Sequence, residues 1–129
     1  MNKNLLEKRL RDLSLYSDFY FRKELKPLAQ LLRDDEQLNC ILTGVHEANR
    51  KMVAVTDQRI LIIYAATLGG GDVKVIRREA VREYWFKKKL LFSSAGFSTE
   101  KESFVFTNTQ GRVKPYFEWA MSQPLPGDV

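Results

Sequence analysis

A single cysteine and a single histidine are all that 129 residues offer toward thiol or imidazole chemistry. Cys40 has no partner for an internal disulfide, and its neighbours Leu38, Ile41 and Leu42 mark it as a small core side chain. Zinc draws on several Cys or His ligands, which are absent, so no zinc centre is expected. A Cys–His dyad fails as well: an unbroken strand from Cys40 to His46 would hold the two about 20 Å apart, beyond hydrogen-bond reach. His46 is expected in a turn. Gly69-Gly70-Gly71 lacks the Gly-Lys-Ser/Thr ending of a phosphate-binding loop and reads as a hairpin connection. Asp34-Asp35-Glu36 has no calcium-binding loop around it and reads as a helix-to-strand linker. No enzyme, cofactor or metal site is expected.

Long apolar runs are missing too. None approaches the roughly 18 residues of a membrane span, and the start, MNKNLLEKRLRDLS, interrupts its leucines with charges every few residues, unlike a signal peptide. A cytoplasmic protein is the expectation. The chain is long enough for one domain with its own core, and its 44% hydrophobic and 29% charged residues suit a globular fold.

What is present in excess is positive charge, +5 overall, and it is concentrated. Outside residues 73–90 the basic and acidic residues nearly cancel. Inside that segment Lys74, Arg77, Arg78, Arg82, Lys87, Lys88 and Lys89 face only Glu79 and Glu83.

Periodicity divides the chain. Leu6, Leu10 and Leu13 recur at helical spacing within residues 3–15, and Phe21, Leu25, Leu28 and Leu32 predict a second helical stretch over 17–32, with Ser17 as N-cap and a kink or restart at Pro27. From Leu38 the period becomes two: Leu38, Cys40 and Leu42 alternate with Asn39 and Thr43, predicting a half-buried strand that turns within Gly44–Asn49 and returns over Arg50–Val55. Thr56-Asp57-Gln58 reads as a tight turn organised by the Asp57 side chain, with Arg59 pairing a nearby carboxylate or carbonyl. The run ILIIYAA that follows is apolar on both faces, so a helix of the arm or another subunit should cover it. Strands are then expected over Val73–Arg77, Glu83–Lys89, Leu91–Ser98 and Ser103–Thr107. Val113, Tyr116, Phe117, Ala120 and Met121 predict a closing amphipathic helix with Pro115 in its first turn.

Seven short strands followed by one amphipathic helix, together with ILTGVHEANRKMVAVTDQRILII and its Thr56-Asp57-x-Arg59 pattern, resemble the bacterial pleckstrin-homology-like family. The stretch VIRREAVREYWFKKKLLFSSAGFST is similar to that family's fourth-to-sixth strand region, with Arg77-Arg78 where many members carry proline. The resemblance implies a mainly β (α+β) fold: a seven-stranded bent sheet or barrel over residues 36–122, capped by its C-terminal helix. Residues 1–35 form a helical arm before it and 123–129 a tail. Relatives that bind phosphoinositides use basic residues around the first hairpin, where Arg50 and Lys51 stand here.

Two functional readings follow, both for a binding module. The first is assembly with a protein partner or with copies of itself, through the apolar stripe Leu6, Leu10 and Leu13 and the sheet. The second is peripheral binding of anionic lipid headgroups by a hairpin combining Lys87 and Lys89 with Lys74 and, if its strand continues past Arg77, Arg78, with Arg50 and Lys51 assisting. Nucleic acid ranks third, with Trp85 as its stacking candidate. An exposed Trp85 would favour a recognition surface, and one buried under the arm would be structural.

Overall fold

The computed structural model describes residues 1–20, 22–66 and 70–125. Phe21, Gly69 and the tail from residue 126 lie outside the described residues.

The arm begins with helix α1, Lys3–Asp12, whose free N-terminal amides are capped where the Asn2 side chain accepts from the Leu5 N–H at 2.8 Å. It ends in a Schellman motif. Ser14 adopts φ +60°, Leu15 N–H reaches back to Leu10 O at 2.8 Å, and the side chains of Leu10 and Leu15 are both fully buried. The second helical stretch is two pieces, α2 (Tyr16–Phe19) and α3 (Leu25–Leu31). Ser17 lies inside α2, and Leu15 holds the N-cap position without a side-chain bond. Pro27 falls in the first turn of α3, where a missing N–H costs little, so the break lies earlier, beside the buried Glu24 and its partner Arg22.

The strands are β1 (Leu38–His46), β2 (Asn49–Thr56), β3 (Arg59–Ala65), β4 (Gly71–Arg77), β5 (Val81–Lys87), β6 (Ser93–Thr99) and β7 (Ser103–Thr109). They form one antiparallel sheet in the order β4-β3-β2-β1-β7-β6-β5. Helix α4, Lys114–Ser122, packs on β1 and β2 and also on β5, the far end of that order, so the sheet must curl around it. Its Phe117, Ala120 and Met121 are buried, as is Val113 just before it.

The first strand departs from the alternation read from sequence. Asn39, Ile41 and Thr43 are as buried as Leu38, Cys40 and Leu42. The arm reaches this second face through Arg9 of α1, which donates to Leu38 O at 2.7 Å and to Asn39 Oδ1 at 3.3 Å, while Thr43 Oγ1 accepts from Gln110 and Arg50. Leu6, Leu10, Phe19, Leu25 and Leu28 join Ile41, Ile60 and Leu61 in one continuous cluster. The double-faced apolar run of β3 is thus covered within the chain, and Leu6 and Leu10, expected on an assembly surface, are fully buried in the core, with Leu13 packed beside them.

Gly44 does not turn the chain. It continues β1 where β7 crosses so closely that a Cβ would stand 2.7 Å from Phe106 Cβ and 2.8 Å from Thr109 Cγ2. The reversal comes at Glu47 and Ala48, with φ +51° and +68°, the mirror-image turn that suits strand twist. His46 accordingly ends a strand and does not sit in a turn, its Nδ1 3.1 Å from Val105 O.

Candidate functional site

The Thr56–Arg59 turn is structural, though its parts exchange roles. Thr56 Oγ1 accepts from the N–H groups of Gln58 and Arg59, at 3.1 and 2.9 Å, while Asp57 Oδ1 accepts from Gln37 N–H at 2.9 Å. Arg59 pairs Glu36 and also donates to Leu31 O at 2.6 Å, tying the end of the arm to the start of β3.

The predicted basic hairpin does not form. Strands β4 and β5 are the two edges of the sheet, so Lys74 and Lys87 are not neighbours on one ribbon. Lys74 instead pairs Glu102 at 2.6 Å, across to the turn before β7. Strand β4 stops at Arg77, and Arg78 starts a short 3₁₀ turn that carries its guanidinium inward. There it donates to three carbonyl oxygens, Asp57 at 3.3 Å, Met121 at 3.2 Å and Gln123 at 2.6 Å, stitching the end of α4 to the β2–β3 turn. Burial lowers its pKa from the ordinary arginine value, and the charge of Asp57 and then Tyr84 oppose that shift.

The first hairpin is equally committed. Arg50 donates to Thr43 Oγ1 and Asn108 O, both at 3.1 Å, and Lys51 lies 3.9 Å from Glu47. A recess of about 150 Å³ at this end is lined by His46, Lys51 and Lys74, but also by Glu47, Asp72 and Glu102. Carboxylates offset the cations there, leaving no basic pocket.

Pairing therefore sorts the cations of residues 73–90. Arg77 binds Glu79 at 2.9 Å, Arg82 lies 3.7 Å from Glu100, Lys74 holds Glu102, and Arg78 is buried. Among the described residues no carboxylate pairs Lys87, Lys88 or Lys89. The segment's excess charge is concentrated at one end of one hairpin.

That hairpin ends differently from the sequence reading. Strand β5 ends at Lys87 and β6 begins at Ser93, so Lys88 to Phe92 leave the sheet as a tip. Ser93 clamps its base: Oγ accepts from Lys89 N–H at 3.0 Å and lies 3.2 Å from Lys89 O. Leu90 is 100% exposed, Leu91 68% and Phe92 71%. An open depression of about 550 Å³ beside them is lined by Lys88, Lys89, Leu90, Phe92, Ser93 and Thr109.

Trp85 is neither exposed nor buried. It rests half-buried on Gly96, its register partner, so closely that a Cβ there would stand 2.6 Å from Cζ2, and Lys87 Nζ lies 5.4 Å from its ring centre. On the opposite face Tyr84 and Phe86 both meet Phe117 of α4, as alternation requires.

Leu90, Leu91 and Phe92 were not among the residues singled out from sequence, and Lys88 was counted in the basic segment without being placed in the predicted binding face. The available signal was three lysines followed at once by three large apolar residues with no alternation. Among the described residues no group of three or more His, Cys, Asp or Glu is placed to hold a metal, and no helix is long and apolar enough to cross a membrane.

Comparison with curated proteins returns no match. A family model described as the bacterial PH domain matches residues 32–118, from the end of α3 into α4. Together with the bent seven-stranded sheet and its closing helix, that match, over most of its length, shows that this chain belongs to the bacterial PH domain family.

Proposed function

We propose that this chain is a non-enzymatic module that binds anionic phospholipid surfaces peripherally, through the β5–β6 end of its barrel. PH-like domains are interaction modules in general. The observation that carries the specific reading is the sorting of charge: Lys87, Lys88 and Lys89 stand together without carboxylate partners among the described residues, while the neighbouring cations are paired or buried. A cationic tip of this kind is attracted to an anionic leaflet by about 1 kcal/mol per lysine, so the three contribute roughly 3 kcal/mol, or about a hundredfold in partitioning.

The competing readings have less support. Assembly through Leu6 and Leu10 would require side chains that the chain has already buried in its own core. Single-stranded nucleic acid is held along a groove by successive aromatic faces, whereas Trp85 is laid against Gly96 and the exposed ring of Phe92 stands at the tip among Leu90 and Leu91.

Co-sedimentation with phosphatidylcholine vesicles, with and without phosphatidylglycerol, tests the proposal. Binding should require the anionic lipid, weaken with salt, and be lost in the Lys87→Glu, Lys88→Glu, Lys89→Glu triple variant. Equal partitioning onto both vesicle types, or an unchanged triple variant, would overturn it.

A further inference from the structure

We infer that Leu90, Leu91 and Phe92 enter the bilayer at the boundary between headgroups and acyl chains when Lys87, Lys88 and Lys89 meet the phosphates, making the β5–β6 tip a wedge rather than a purely electrostatic foot. The inference rests on the lipid-surface reading above and adds an apolar contact to it.

Single exposed apolar residues are ordinary on protein surfaces, but three consecutive large ones at 100%, 68% and 71% exposure are not. Closure of the turn does not require them, because Ser93 and the Lys89 backbone perform it. Phe92 is also held at φ +61°, a conformation a bulky residue rarely adopts. These apolar side chains follow directly on three lysines whose long stems let an ammonium stay at phosphate depth while neighbouring residues go deeper.

Charge identifies the occupant. A second copy docked tip to tip would bring two sets of three lysines together, whereas an anionic bilayer offers negative headgroups and an apolar layer in the same order as the tip's own residues. Interfacial amphipathic helices bury their apolar faces about 5–10 Å into that boundary, and the same depth is expected for the tip.

The test is a Leu91→Cys variant carrying an environment-sensitive nitrobenzoxadiazole label, with Lys101→Cys, in the turn between β6 and β7, as control. Cys40 is fully buried and burial raises its thiol pKa, so the native cysteine stays unlabelled in the folded protein. With phosphatidylglycerol vesicles the label at 91 should shift to the blue and be quenched by lipids spin-labelled near the top of the acyl chain, while the label at 101 should not change. In parallel, the Leu90→Ser, Leu91→Ser, Phe92→Ser variant should keep salt-sensitive binding but lose about tenfold or more in partitioning, and detach fully at high salt.

A label at 91 that stays water-like on vesicle-bound protein would overturn the insertion and leave the electrostatic reading standing. Failure of the unlabelled protein to sediment with anionic vesicles would remove both. A blue shift without lipid, together with a dimer by light scattering, would assign the tip to a second copy and overturn the inference.

Discussion

Arg59 grips Glu36 with two parallel hydrogen bonds, Nε to Oε2 at 2.7 Å and Nη2 to Oε1 at 2.9 Å, and the Glu36 side chain is wholly removed from solvent. Thr56 Oγ1, at 2.7 Å, and Arg33 N–H, at 3.1 Å, complete the shell around the carboxylate. Burial alone would raise the Glu36 pKa, but the Arg59 hydrogen bond, then Thr56, Arg33 and the Arg59 charge outweigh it, so the pKa lies below its ordinary 4.5. A carboxylate depressed on folding adds stability above its unfolded pKa and loses it as pH falls through the folded value. Urea midpoints should therefore decline below about pH 4.5 in the wild type, and less steeply in Glu36→Gln. Arg59→Met should cost about 3–5 kcal/mol at neutral pH, because it leaves a buried charge unpaired.

The arm behaves as core. Leu10→Ala should destabilise by about 2–5 kcal/mol, whereas Leu5→Ala, on the exposed side of the same helix, should stay within about 0.5 kcal/mol. Thermal and urea unfolding of the two variants provide the comparison. Equal small effects would mean that α1 is not packed as described.

Two positions in β1 and its turn should respond in opposite directions. Gly44→Ala places a methyl within 3 Å of Phe106 Cβ and Thr109 Cγ2 and should cost about 1–3 kcal/mol or more. Ala48→Gly relieves a left-handed alanine at φ +68° and should stabilise by about 1 kcal/mol or less, the gain being reduced by glycine's greater freedom when unfolded. Equilibrium unfolding decides both signs.

Arg78 fastens the end of α4, so Arg78→Met should loosen that end before the sheet. Three carbonyl oxygens lose their donor. Faster hydrogen exchange confined to the last turn of α4 and the amides near Asp57, with a stability loss of roughly 1–3 kcal/mol, is the expected outcome. Uniform exchange change across the sheet would contradict this account.

Sequence patterning conveyed most of the architecture because strand and helix periods switch cleanly at Leu38 and again near Val113. The Thr56–Arg59 turn was legible because local hydrogen bonding dictates its residue types, although Thr56, and not Asp57 as read, accepts the turn's N–H groups. Arg78 was misread because placing it beside Lys74 required β4 to continue past Arg77, whereas the strand ends there and the distant end of α4 arrives beside the Arg78 guanidinium. Leu91 and Phe92 were read as strand because a short apolar run has no period to separate a buried strand from an exposed tip. The charge excess over residues 73–90 was visible at once, but which lysines remain unpaired depended on Glu79, Glu100 and Glu102 finding partners in three dimensions.

The Schellman turn at Ser14 folds the arm back so that Leu10 and Leu15 enter the same interior as the sheet, although the family match begins only at Leu32. Kinship and mechanical integrity thus divide the chain at different places. A recombinant fragment trimmed to residues 32–118 would stop inside α4 and take Leu6, Leu10, Leu15, Phe19, Leu25 and Leu28 out of the core, so it should emerge as an insoluble or chaperone-bound product. Any study of what this domain recognises needs the arm attached.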